Sequence, residues 1–442
     1  MKVAWFTPWW SHSAIAAFSQ HVTEWLSQFA EIELWVPEQS DERSTRLPVN
    51  VFDPDNLPTT VFDVDIAVYC IGNNYAFHDS VMRVAERIPG VVILHDTVMH
   101  HAYLDQARLG ERTLDGYLGM LTRWYGSDVA GLALEHLGAD PFAGYPPDAF
   151  CAQYSLLEEA TRGALGVVVH ASAQAQRLQP YEFIPLWRLN LPGYKTEVFS
   201  LPPAAPEPND AIRLLSIGWV GRPKQIHLVL DALIARPSLR ERIQYKIAGP
   251  MDVQSEYGQE LLRRLDDHAL RDSVEFLGYV SDGDLARWTA WADAFVNLRW
   301  PSTEGGSASL VHQLVTGKPV VVSSSGIFGE LPDHAVLRIV DHDPSAVADA
   351  LERLQDPALR TSVGAAGQAV ASSFTVAAYG RGMLTLIEEA VRWRVPVRLV
   401  DRVGDELARL GAREGMGALL TIGAELSELF GRAYSEGRPM AL

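Results

Sequence analysis

The segment Arg299–Pro319, RWPSTEGGSASLVHQLVTGKP, holds the densest set of residues suited to chemistry. It follows an apolar run, places Gly305 and Gly306 after Glu304, continues with Ser307, Ala308 and Ser309, and enters an apolar helical pattern ending at Gly317. A Gly/Ser turn that opens a helix points backbone N–H groups and a positive dipole end at its ligand, which suits a diphosphate. The same stretch also reads as an ordinary loop with serine caps. A second turn, Ser216–Ile226 (SIGWVGRPKQI), adds Arg222 and Lys224 to Gly218. Glycine with nearby cations can clamp an anionic leaving group, although two solvated cations on a loop would look the same. The GxxxxGK[ST] spacing of a P-loop is absent.

The segment His95–His101 (HDTVMHH) directly follows the run Val91–Leu94. His95 leaves a strand end, where catalytic groups collect, and Asp96 beside it could orient it. A metal site would need Asp96, His100 and His101. Adjacent histidines on a helix point about 100° apart and rarely chelate together, so neither a metal nor another cofactor is expected. The alternative is that His100 and His101 pack or face solvent, the reading preferred for His101. In Ser11–Ser19 (SHSAIAAFS) the GxGxxG fingerprint of an ordinary NAD enzyme is missing. Cys70–Asn74 (CIGNN) ends a run with two amides suited to hydroxyl-rich ligands, or forms a plain turn. Of the 12 tryptophans, Trp9, Trp10 and Trp300 are expected near a binding site.

Alternating strands and helices must position these groups. Lys2–Thr7, Ile32–Val36, Val64–Cys70, Val91–His95 and Gly166–His170 read as strands, Ala14–Phe29 as a helix, and Leu104–Ala164 as mostly helical. Apolar strands separated by helices indicate a parallel sheet covered on both faces. Five prolines in the 19 residues Leu191–Asn209 interrupt the pattern. It then restarts with strands at Arg213–Val220, Tyr245–Gly249, Val274–Val280, Ala294–Leu298, Val320–Ser324 and Val336–Val340, and turns helical from Val376, with Leu399–Leu429 as amphipathic helix. The expected fold class is therefore α/β, with two Rossmann-like doubly wound domains across a cleft. The domains are 1–195 and 212–375, joined by a linker at 196–211 and followed by helices over 376–442, the first crossing back to the N-terminal domain. Ligands of open parallel sheets bind beyond the carboxyl ends of the strands.

The 442 residues carry 37 Lys and Arg against 55 Asp and Glu, a net charge of −18. Nucleic-acid binding is excluded as a general function, because phosphate contacts need a basic face. A small basic pocket for one phosphorylated metabolite is still compatible with that balance. Two cysteines make neither a disulfide framework nor a zinc site. No run reaches the roughly eighteen apolar residues of a membrane span, and no signal peptide is evident, so a cytoplasmic protein is expected.

Taken in order, these motifs resemble the family-4 retaining glycosyltransferases of GT-B fold over about residues 1–395. Ser13–Ser19 is similar to the SGIADYS turn of one branch. Gly72-Asn73-Asn74, His78, His95-Asp96 and His100-His101 follow in that branch's order, and Val169–Ser172 stands at its VHS strand end. Gly218 through Lys224 resembles the glycine turn with a phosphate-facing lysine. Gly278-Tyr279 resembles the strand end that reads the base, Glu304 through Pro319 the donor-site helix, and Gly326 through Pro332 the segment after it. The resemblance implies transfer of a sugar from a UDP- or GDP-linked donor to a glycan, lipid-linked or small-molecule hydroxyl acceptor, with retention and without a metal. Peripheral membrane association is also among the expectations.

It further implies catalytic roles for His95, Lys224, Arg222 and Glu304. Donor contacts would come from Gly218, Gly249, Gly278, Tyr279, Gly305, Gly306, Ser307, Ala308, Ser309 and His312. Acceptor contacts would come from Ser13, Ala14, Asn73, Asn74, Asp96 and His100. The chain departs from the family where His312 replaces the second glutamate, where Ala14 and Ala17 replace the glycine and acid of the first turn, and where Trp219 replaces an arginine that Arg222 could supply. His312, or Gln313, could take over ribose recognition, or His312 could simply pack. The competing readings are a non-catalytic nucleotide-sugar-binding homologue and a GT-B-fold epimerase, which would need a carboxylate pair that is not obvious at the strand ends.

Overall fold

The apolar runs become strands of two parallel sheets in the computed structural model, which describes residues 1–9, 13–37, 44–178, 185–193 and 211–409. The first sheet comprises β1 (Lys2–Phe6), β2 (Glu31–Pro37), β3 (Val49–Phe52), β4 (Ile66–Ile71), β5 (Val91–Leu94), β6 (Gly166–Val169) and β7 (Leu186–Arg188). Their spatial order is β3-β2-β1-β4-β5-β6-β7. Every residue of β4, β5 and β6 is buried, the pattern of central strands with helices on both faces. The edge strands β3 and β7 escape the sequence reading because they bury little: β3 buries only Phe52 and β7 none of its three residues.

The second sheet comprises β8 (Ile212–Ile217), β9 (Ile243–Ala248), β10 (Val274–Gly278), β11 (Ala294–Asn297), β12 (Val320–Ser323) and β13 (Leu337–Ile339), in the order β10-β9-β8-β11-β12-β13. All its strand pairs are parallel. The loops leaving β8, β9, β10 and β11 therefore share one edge, the edge where such sheets bind ligands.

The chain divides into two units: Met1–Val169 with Ala173–Leu189 and the chain from Gly380, and His170–Ser172 with Asn190–Tyr379. The expected first domain, 1–195, thus gives His170–Ser172 and Asn190–Gly193 to the second. The expected linker at 196–211, except for its last residue, and everything beyond 409 lie outside the described residues. The helix Val376–Arg409 belongs to the first unit from Gly380 on. There a Cβ on Gly380 would run into the Trp25 ring, and Trp187 Nε1 donates to Glu389 Oε2 at 3.1 Å. No described helix is long and apolar enough to cross a membrane.

Candidate functional site

In the second unit the β8 end is built for close approach. Gly218 has φ +105° and donates its N–H to the Ala248 carbonyl (2.8 Å). Gly249 donates to the Gly278 carbonyl (2.9 Å), and a Cβ on Gly249 would collide with the Gly218 carbonyl. Glycine is needed at 249 because a side chain there would push the β8 and β9 ends apart, and at 218 because its φ is positive. Lys224 folds back over this turn, its Nζ donating to the Ile217 carbonyl, and any Cβ on Gly218 would strike that Nζ. Burial, and then the Arg299 guanidinium, push the Lys224 ammonium well below the ordinary lysine range, while Glu304 opposes them. Gly278 also has positive φ (+67°), and Tyr279 and Trp219 are exposed beside these strand ends.

Arg222 does not join Lys224, contrary to the expected catalytic role. Its Nη2 donates to Glu260 Oε2 at 2.5 Å and its guanidinium lies 4.9 Å from the Tyr257 ring centroid. Both partners sit on the helix Glu256–Asp267, which draws the arginine outward. The cation whose charge acts on Lys224 is Arg299, two residues past β11 and only 7% exposed. Arg299 Nε donates to Glu304 Oε1 at 3.0 Å, and Nη1 donates to the Leu298 carbonyl at 3.0 Å. Sequence reasoning passed over Arg299 although it opens the richest segment. Its position one residue beyond a strand's apolar run was the available signal.

The Gly/Ser turn caps a helix, as expected for either reading. Ser307 is the N-cap of Ala308–Val315, its Oγ accepting from Leu310 N (3.4 Å) and lying 3.2 Å from Ser309 Oγ. Ser309 Oγ also accepts from Asn297 Nδ2 (3.2 Å). Gly305 is buried, and a Cβ on Gly306 would lie 3.0 Å from Leu191 Cβ. His312 is 5% exposed, and a Cβ on Gly193 would lie 3.8 Å from its Cδ2. Gln313 is fully buried, its Oε1 accepting from Asn297 Nδ2 at 2.8 Å. These two residues therefore pack, and the proposed ribose role of His312 finds no open surface. From sequence, His312→Glu should tighten donor binding. From the structure it should instead bury a carboxylate and cost on the order of 1–3 kcal/mol of stability. Thermal unfolding and a donor titration of the same variant check this, and tighter binding at unchanged stability would return the ribose to His312.

In the first unit, Asn73 organises the turn after β4. Its N–H donates to Asp96 Oδ2 (2.6 Å), its Oδ1 accepts from Ala102 N (3.1 Å), and its Nδ2 donates to His101 Nδ1 (2.8 Å). Asn73 thereby caps the helix His100–Arg108, whose own N-cap Met99 has no capping side chain. His100 is fully buried: Nδ1 accepts from Tyr117 Oη (2.8 Å) and Nε2 donates to the Tyr154 carbonyl. Its expected acceptor role is corrected to packing, and the partly exposed His101 is the histidine that joins Asn73.

His95 sits just past β5, its N–H on the Ile71 carbonyl (2.9 Å) and its ring edge-on to Phe18 at 5.0 Å. Ser13 caps the helix Ala14–Leu26, accepting from Ala16 N (3.2 Å), with Ala14 exposed behind it. Asn74 is exposed at the start of Tyr75–Ala85. Trp9 is buried, Trp300 is exposed and stacked on His342 at 4.1 Å, and Trp10 lies outside the described residues. The structure thus gathers Gly218, Lys224, Arg299 and Glu304 in one unit, and Asn73, Asp96 and His101 in the other.

Residues 212–356 match the family model described as Glycosyl transferases group 1. No curated protein matches the chain by sequence. Among solved structures, the chain is similar to Anabaena Alr3699/HepE in complex with UDP and glucose, at 15% identity over 88% of this chain and 99% of that one, with a TM-score of 0.59. Sucrose-phosphate synthase from Thermosynechococcus elongatus is similar at 16% identity, over 88% and 98% of the two chains, with a TM-score of 0.57. WaaG, a glycosyltransferase involved in lipopolysaccharide biosynthesis, is similar at 12% identity, over 88% and 99%, with a TM-score of 0.54. At these identities the likeness is one of fold, and that fold is GT-B.

Proposed function

With residues 212–356 carrying a group 1 glycosyl transferase domain, we propose that the protein moves a sugar from a nucleoside diphosphate sugar to a hydroxyl acceptor, with retention of configuration and without a metal ion. The second unit binds the donor in this reading, and the first unit the acceptor. The observation that supports it best is the cluster of Gly218, Lys224, Arg299 and Glu304 at the carboxyl ends of β8 and β11. Negative charge grows on the diphosphate as the bond to the sugar breaks. A cation held beside that position by the fold would lower the barrier. UDP is the first nucleoside diphosphate to test, because HepE is described in complex with UDP and glucose.

The roles follow from the chemistry of each group. Lys224 neutralises the departing phosphate, and Glu304 accepts from sugar hydroxyls. His95, at the end of β5, polarises the acceptor hydroxyl or the reacting centre. Asn73, Asp96 and His101 shape the acceptor side. Metal independence rests on positive charge supplied by side chains.

The test gives the purified protein UDP- and GDP-linked sugars in excess chelator, with and without hydroxyl acceptors. The expected result is acceptor-dependent release of nucleoside diphosphate and a product with the donor's anomeric configuration. A new nucleotide sugar formed without acceptor would identify an epimerase. Binding without release would identify a non-catalytic homologue. Turnover abolished by the chelator and restored by a divalent ion would overturn metal independence.

A further inference from the structure

The place where an arginine of the phosphate turn is expected holds the exposed Trp219, and its nominal substitute Arg222 is committed to Glu260 and Tyr257. That leaves Lys224 without the second cation a diphosphate usually demands, unless another element supplies it. Arg299 fits that need on three independent grounds. It is tethered to the turn that carries Lys224, since the next residue, Trp300, donates its N–H to the Pro223 carbonyl at 2.8 Å. Its backbone is clamped on both sides: its N–H donates to Ser323 Oγ (2.9 Å) and its carbonyl accepts from Ser325 Oγ (2.7 Å). Its guanidinium is oriented but not saturated. Nε meets Glu304 and Nη1 meets Leu298 and Asn297, while Nη2 makes no hydrogen bond among the described residues.

We propose that Arg299 is the second cation of the diphosphate site, with Glu304 as its counter-ion in the empty protein, and that donor binding exchanges this carboxylate for a phosphate. The inference rests on the donor reading above and adds to it a coupling between two parts of the ligand. A guanidinium donates to two oxygens in one plane, so a phosphate can take the Nε that Glu304 holds together with Nη2. Once displaced, the Glu304 carboxylate is free to accept from hydroxyls of the sugar that the same donor carries. A nucleoside diphosphate without its sugar would make the first exchange but not the second.

The test compares nucleoside diphosphate with nucleoside monophosphate, using UDP against UMP and GDP against GMP, by calorimetric titration. Arg299→Met should lower the preference for the diphosphate about tenfold or more, as expected for one lost charge-assisted fork. Arg299→Lys should recover part of it, and Arg222→Met should leave the preference near that of the unaltered protein. A merely structural Arg299 would weaken both nucleotides alike. Inorganic pyrophosphate, which has no base or sugar, gives a second readout that survives poor folding of Arg299→Met. Glu304→Gln removes the internal competitor and should tighten pyrophosphate binding severalfold. Unaltered preference in Arg299→Met, or pyrophosphate binding in Glu304→Gln that is unchanged or weaker, would overturn the assignment of Arg299 while leaving the donor reading intact. Failure of the unaltered protein to bind either diphosphate would overturn both.

Discussion

Acidification from pH 6.5 to pH 4 should remove about 3 kcal/mol of stability for each of two buried histidines, His78 and His100. Both rings are held neutral in the fold. His78 Nδ1 donates to the Cys70 carbonyl at 3.1 Å beneath the turn after β4, which fixes its tautomer because a carbonyl only accepts. His100 donates from Nε2 to the Tyr154 carbonyl and accepts the Tyr117 hydroxyl at Nδ1. Burial pushes each from an ordinary 6.5 down to about 4, against the smaller opposing effect of the carbonyl bond. Between those values the unfolded chain binds more protons than the folded one, so stability falls as pH falls. Two such losses are a large share of the roughly 5–15 kcal/mol that holds a domain together. Urea unfolding at a series of pH values should show the drop, and the double variant His78→Gln/His100→Gln should flatten it. An equal pH slope in the double variant would assign the acid sensitivity to carboxylates instead.

Replacing Lys224 with Ala should cost about 2–4 kcal/mol of transition-state stabilisation, a loss of roughly 30- to 1,000-fold in kcat/KM. The same change should not lower stability. The folded state already disfavours the ammonium, through burial and through Arg299, which offsets the variant's loss of the donor to the Ile217 carbonyl and of the attraction of Glu304. A cation that is unfavourable in the empty protein and favourable beside a diphosphate is characteristic of a site held ready for charge at some expense in stability. Steady-state kinetics paired with thermal unfolding separates the two effects. Full turnover in a well-folded Lys224→Ala protein would remove this turn from the reaction. A large fall in melting temperature would instead make Lys224 a structural residue.

The sequence by itself determined the central strands of both sheets and which loops past them hold residues suited to chemistry, but not the edge strands β3 and β7. Strands buried on both faces must be nearly all apolar, so β1, β4, β5, β8 and β11 stand out as runs, and the Gly, Ser, His and charged residues just past them mark one sheet edge. Of the glycines at 218, 249 and 278, which the resemblance had marked, the structure needs the one at 249 because its strand end packs against the Gly218 backbone, and those at 218 and 278 because their φ is positive. Tertiary structure alone decided where each functional side chain points. Arg222 and Arg299 are both cations beside strand ends. The helix Glu256–Asp267 supplies Glu260 and Tyr257 to turn the first outward, whereas Glu304 holds the second beside Lys224. His100 and His101 differ by one residue, hence by about 100° around the helix. Tyr117 and Tyr154, distant in sequence, fix that helix so that His100 is internal and His101 meets Asn73. His312 stands in the sequence where the resemblance implies a ligand, and in the fold it is packed near Gly193. A residue's type sets what it can bond. Which of several long side chains reaches a ligand depends on partners brought in by other elements, and those partners have no fixed spacing along the chain.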